Sequence, residues 1–238
     1  MFLLPQFLPD SENLPPCPQI SPQTFQVFHT WTIKYPHHLE TLHLLRAISR
    51  FSSHLKAEAI NTKRRVFSDG DFGTAYLFPL IHKCLSLPRY NEDLDEKDGA
   101  ILQACRLACA LFLAEIKRMF GINAVNSGLQ TQKLRTYLAN SKGHWGDLQP
   151  LKLWCLAMGG VESLGSLQVW YEHELREEGA NMRLDSWEEV ENKVKAILWF
   201  DECHTPLLVE LGLGIKGVSG LNALGRRSYA SHNSPLRG

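Results

Sequence analysis

This sequence has no excess of either charge. Among its 238 residues, Lys+Arg and Asp+Glu each number 25, so the formal net charge is zero. Nucleic-acid binding rests on neutralising phosphates, and a domain that does it usually shows a basic excess, so this balance argues against that class for the chain as a whole. There is no C-x-x-C pair. Cys17, Cys84, Cys105, Cys109, Cys155 and Cys203 are scattered, most of them inside apolar helical stretches where cysteine behaves as a small hydrophobe. There is no N-x-[ST] sequon, and the first residues, MFLLPQFLPD, lack the basic start of a signal peptide and are interrupted by proline. No run of about 18 apolar residues suggests a membrane span. Together these absences predict reduced thiols and an intracellular compartment. Three catalytic signatures are also missing: H-E-x-x-H, G-x-S-x-G and the phosphate-cradling G-x-x-x-x-G-K-[ST].

What is present is unevenly distributed. Six of the 12 prolines fall between Pro5 and Pro22. Proline removes backbone donors and fixes φ, which predicts a weakly ordered arm over residues 1–24. Phe25, Val27, Trp31, Ile33 and Tyr35 share one parity, the spacing of a strand. Residues 1–36 are therefore expected to be a proline-rich arm plus an extended segment. From Pro36 the apolar period becomes helical, with Leu39, Leu42, Leu45, Ile48, Leu55 and Ala59 recurring at steps near three and four. A helix is expected over 72–87, started or kinked by Pro79. The clearest helix carries Ile101, Cys105, Ala108, Phe112, Ile116 and Met119 on one stripe and ends at Gly121. Further helices are expected at about 129–139, 148–160, 164–178 and 186–203, the last opened by the capping box Ser186-x-x-Glu189. About seven helices with short connections predict an all-α bundle or array over 37–210. Beyond Glu210 there is no acidic residue, while Lys216, Arg226, Arg227 and Arg237 follow, which predicts a flexible basic tail over 211–238.

Few residues invite chemistry. Asp201-Glu202-Cys203-His204 spells an acidic box of the helicase type, but no phosphate loop accompanies it. The expected setting is a helix end, with His204 facing the C-terminal dipole. Asp93, Asp95 and Asp98 could hold Mg²⁺ only from helical spacing on a cavity wall, whereas here they are expected in a solvated loop before a helix. Cys105 and Cys109 share a helix face, but a structural zinc site needs four ligands, and core packing is the expected role. No catalytic constellation, cofactor or metal site follows from the residues.

The stretch LKLWCLAMGGVES, Leu151 to Ser163, has Trp154 and Met158 on one face and breaks on Gly159-Gly160. Upstream lies ACRLACALFLAEIKRMFG, with Arg106 and Phe112. Downstream lie a helix bearing Trp170 and then LDSWEEVENKVKAILWFDE, with Trp187 and Trp199. This order, over about residues 100–203, resembles the fungal-specific transcription factor domain family, the helical regulatory region of fungal zinc-cluster activators. The family's pattern runs from an R-L-A-rich helix to an L-x-L-W-x-L-x-x-G-G helix, then an aromatic-bearing helix and an S-W-E-E start.

The resemblance implies a non-enzymatic, nuclear regulator, its alternative compartment being the cytoplasm. It would act on partner regulators or co-regulators or on a small apolar effector, as a homo- or heterodimer, without a membrane. The six cysteines do not follow the zinc-cluster spacing, so no specific DNA binding by this chain is implied. Arg106, Phe112, Trp154, Met158, Gly159, Gly160, Trp170, Trp187 and Trp199 are the family-motif residues and candidate effector-pocket lining. A core-building role for the tryptophans stands beside the pocket role. The rival expectation is an all-α enzyme or binding protein for a small apolar substrate.

Overall fold

The computed structural model describes residues 21–87, 96–122 and 127–215. Of these, 82% are helical, and no strand occurs among them. The expected all-α array is therefore the observed architecture. The helices are α1 (Pro22–Lys34), α2 (Glu40–Asn61), α3 (Gly70–Phe72), α4 (Phe78–Ser86), α5 (Glu96–Met119), α6 (Gly128–Asn140), α7 (Gln149–Glu162), α8 (Ser166–Asn181), α9 (Trp187–Lys195) and α10 (Asp201–Ile215). Short 3₁₀ turns at Arg65–Ser68 and Gly146–Leu148, and a π-helical turn at Gly73–Leu77, join some of them.

The segment read as strand-like forms α1 instead. Ser21 caps it by accepting from the Thr24 amide at 3.0 Å, and Pro22 occupies the first turn, where a missing N–H costs nothing. Burial explains the misreading. Val27, Phe28, Trp31 and Tyr35 face the core, whereas Phe25 and Ile33, which share the strand parity, are 67% and 68% exposed. Helical spacing thus selects a different subset of the same apolar residues. The remainder of the predicted arm and the tail beyond Ile215 lie outside the described residues. At the other end, helix α10 carries the fold to Ile215, past the expected boundary at 210.

Helices α5 and α7 form the centre. Every residue of α7 from Leu151 to Val161 is buried. A helix apolar on all sides must have neighbours on all sides, and α7 packs against α1, α5, α6, α8, α9 and α10. Helix α5 alone among the described helices is long and apolar enough to cross a membrane, but 78% of its apolar window is buried inside the fold. That is the environment of a core helix. It ends as the sequence indicates, with Gly121 at φ +68°. Pro79 stands in the first turn of α4, after the π-helical turn, so it starts that helix and does not kink it.

The predicted helix 186–203 is two helices. Helix α9 stops at Lys195, and Ile197, Leu198 and Phe200 are buried in the connecting turn. Its start is close to the predicted capping box: Ser186 Oγ accepts from the Glu189 amide at 3.2 Å. The Glu189 carboxylate reaches back one residue further than the box requires, to the Asp185 amide at 2.7 Å.

Candidate functional site

The Gly159-Gly160 pair is a packing notch. A Cβ on Gly159 would lie 2.3 Å from the Tyr171 ring, and one on Gly160 would lie 2.8 Å from Leu211 Cδ2. The tyrosine ring leaves no room for a side chain on Gly159, and one on Gly160 would require Leu211 to shift, so the bare backbone of α7 lets α8 and α10 approach it. Tyr171 is held there because its hydroxyl donates to the Thr131 carbonyl at 2.7 Å, and burial pushes its pKa upward.

The motif residues divide by environment. Phe112, Trp154 and Met158 are buried, and the Trp154 indole N–H donates to the Leu198 carbonyl at 2.8 Å. Arg106 is half-buried and donates from Nε to Gln103 Oε1 at 3.0 Å. Trp199 is half-buried and donates to Thr205 Oγ1 at 2.9 Å. Trp170 is half-buried under the Arg135 guanidinium, 5.2 Å from the ring centre. Trp187 is half-buried on a cleft between α8 and α9. Trp187 is the one motif residue that lines this cleft, while Trp154 belongs to the core.

The DECH tetrapeptide opens α10; it does not end a helix. Asp201 and Glu202 fall in the first turn, where acidic groups favour the dipole, and Asp201 pairs with Lys56 at 3.0 Å. His204 does not face a helix C-terminus. It is fully buried, stacked on Phe112 with ring centres 4.2 Å apart and planes 9° apart. Its Nδ1 lies 3.1 Å from the Phe200 carbonyl, which can only accept, so the proton sits on Nδ1.

Burial lowers the His204 pKa to about 4, against smaller opposing effects of the Phe200 carbonyl and the Glu162 carboxylate. Cys203 Sγ lies 3.1 Å from the same nitrogen. Its thiol is pushed upward by burial and then by Glu115 and Glu202. A Cys–His nucleophile needs a thiol shifted down and an imidazole able to take its proton. Both shifts here run the other way.

A pH dependence follows from His204. Below pH 6.5 the unfolded chain takes a proton on this imidazole, while the folded chain refuses it until about pH 4. Stability from this group is complete above that window and falls as the pH drops through it, by up to about 1.4 kcal/mol per pH unit. Urea melts at pH 7, 6 and 5 should show a steeper loss in the native protein than in His204→Gln. Parallel losses would contradict the assignment.

Two ionic features were not legible in the sequence. Lys152 of α7 and Glu178 of α8 form an ion pair with side chains only 7% and 3% exposed. Arg118 of α5 clasps Glu162 of α7 through two bonds of 2.7 and 2.8 Å. The Glu162 carboxyl, although buried, is thereby held below its usual range. Neither partner is within one helical turn of the other in sequence, so no local pattern announces the pairs.

The aspartates considered for Mg²⁺ are not brought together in the described structure. Asp93 and Asp95 lie outside the described residues. Asp98 is not in a loop; it stands in the first turn of α5 and accepts from Tyr35 Oη at 2.8 Å, with Lys34 at 3.2 Å. Cys105 and Cys109 are fully buried in the core, Cys105 beside Cys155. Among the described residues, no group of three or more His, Cys, Asp or Glu side chains converges as metal ligands do.

The α8–α9 cleft has a volume of about 260 Å³ and is lined chiefly by Leu175, Gly179, Leu184, Trp187 and Val190. Arg176 and Asp185, exposed and of opposite charge, also line it. Its mostly apolar lining suits contact with a hydrophobic group. No family model, curated protein or solved structure matches this chain.

Proposed function

We propose that this chain is a helical regulatory domain of the fungal transcription factor type, acting through partner regulators and not through catalysis. The observation that carries this reading is the packing of the four resembling elements. They are α5, α7, α8 and α9, and α7 packs against each of the other three. The glycine pair of the L-x-L-W-x-L-x-x-G-G element receives the aromatic helix α8, with Tyr171 seated on Gly159. The motif order therefore has a physical basis as one interlocked unit.

A partner fits better than a small effector. The cleft at Trp187 is smaller than the roughly 300–1,000 Å³ typical of small-molecule sites, and Trp154 is fully buried in the core. The rival enzyme reading has less support, because the Cys203–His204 pair is shifted away from reactivity. Nuclear localisation and the absence of specific DNA recognition belong to the same proposal.

The test is a reporter assay in fungal cells. The full chain, fused to an unrelated DNA-binding domain, is expected to change output several-fold against that domain alone. An unchanged reporter, with the fusion folded and nuclear, would overturn the reading.

A further inference from the structure

Helix α1 leaves large apolar surface uncovered. Phe25 and Ile33 are 67% and 68% exposed, and His29, also exposed, stands between them. The three follow one another at four-residue steps, so they run along one side of the helix. The Phe25 and His29 rings are parallel within 2°, with centres 6.4 Å apart. Helix α1 contains no carboxylate, and its one lysine, Lys34, is paired with Asp98. Arg46 borders the face, its guanidinium 5.2 Å from the centre of the Phe28 ring.

We propose that this face of α1 is the docking strip of the chain's own proline-rich segment, residues 14–20, with Ile20 seated on Phe25. The segment lies outside the described residues, and its sequence and point of attachment carry the argument. Ser21 is the N-cap of α1, and its Oγ lies 2.9 Å from Thr24 Oγ1 at the third helical position. Ile20 therefore immediately precedes the cap, and Phe25 is the fourth helical residue. Apolar side chains at those two positions pack together as a hydrophobic staple, which sets the angle at which the chain enters the helix. Ser21 is non-helical, with φ −58° and ψ 149°, so the chain changes direction there.

The lengths also agree. The segment reads LPPCPQI and carries no charge. Proline-rich backbone advances ~3.1 Å per residue and a helix ~1.5 Å, so Ile20 back to Pro16 and Phe25 on to Ile33 both cover roughly 12 Å. Pro15, Pro16 and Pro18 have φ already fixed, which lowers the entropy lost on docking. A tethered segment is presented at an effective concentration near millimolar, so modest contacts suffice. Charge separates this segment from the chain's other undescribed terminus. The cations of residues 216–238, Lys216, Arg226, Arg227 and Arg237, find no carboxylate on α1, and Arg46 repels them. Docked, the segment withholds the outer face of α1 from other proteins. The proposal does not depend on the regulatory reading above.

The experiment is alkylation of Cys17 in the full chain by iodoacetamide, a neutral thiol reagent, read at that residue by mass spectrometry. Cys17 lies between Pro16 and Pro18, inside the docked stretch. Its rate is expected to be at least about fivefold lower than in a free peptide of residues 13–21, as tethering near millimolar allows. Phe25→Ser/Ile33→Ser should bring the rate to within about twofold of the peptide, and so should Ile20→Ser, which removes the staple alone. Cys105 and Cys155, both buried, should stay unreactive in these variants, which separates release of the segment from unfolding. Equal rates in the native chain and the peptide, or no acceleration in either variant, would overturn the proposal. Protection that grows over about two orders of magnitude in protein concentration would assign the face to a second copy and overturn it as well.

Discussion

Trp154→Ala is expected to cost about 3–5 kcal/mol, the range for emptying a large aromatic site in a core. The ring has no exposed surface and lies 6.3 Å from Phe112, centre to centre. Its loss removes the Phe112 contact that links α5 to α7 at this point. It also leaves the Leu198 carbonyl without its donor, in the buried turn that joins α9 to α10. Two effects therefore add: a cavity at the centre and an unsatisfied acceptor at a connection. Trp154→Phe separates them, since it keeps most of the volume and removes only the donor, and it should cost clearly less. Denaturant melts with an unchanged slope are the measurement. A midpoint near wild type for the alanine variant would show that this helix is not central.

Lys152→Met should cost a similar amount for an electrostatic reason. Lys152 lies within the buried run of α7, and its ammonium is the cation facing Glu178. One carboxylate oxygen, Glu178 Oε1, already has no partner. Removing the cation leaves a buried anion with nothing opposite, which typically costs about 3–5 kcal/mol. The pair as a whole is a different matter, because burying two charges has its own desolvation cost. Lys152→Met/Glu178→Leu is therefore expected to lie within about 1 kcal/mol of wild type, or above it. A double-mutant cycle by chemical denaturation checks both statements. A single variant as stable as wild type would mean that the carboxylate finds water when its partner leaves.

Much of the fold is legible where local chemistry and packing agree. The stripe from Ile101 to Met119 faces the core as its period requires, and Gly121 supplies the left-handed residue that ends the helix. Phe25 and Ile33 show the limit. Their parity fits a strand, and only the neighbours of α1 decide that Phe28 is buried while they are not. Leu198, Trp199 and Phe200 mislead in the opposite way: apolar residues after α9 read as more helix, yet they fill an irregular buried turn.

At the candidate site, the glycine pair was visible as a break, but the tyrosine seated on it was not. Contacts of that kind join positions separated by a helix or more. The same holds for the Lys152 pair, 26 residues apart. The Trp187 cleft depends on how α8 and α9 diverge, which no spacing encodes.

The start of α1 stitches the first third of the chain to the last. Ser21 Oγ donates to the Ala196 carbonyl at 3.1 Å, Thr24 donates to the same carbonyl, and Gln23 Nε2 donates to the Lys193 carbonyl at 2.9 Å. During synthesis, α1 emerges from the ribosome first, yet its acceptors are made some 172 residues later. At about 5–20 residues per second, that is an interval of roughly 10–30 s. Throughout it, Val27, Phe28 and Trp31 have no finished core to enter. The nascent chain therefore carries an apolar helix face whose full core is complete only when the C-terminal third arrives.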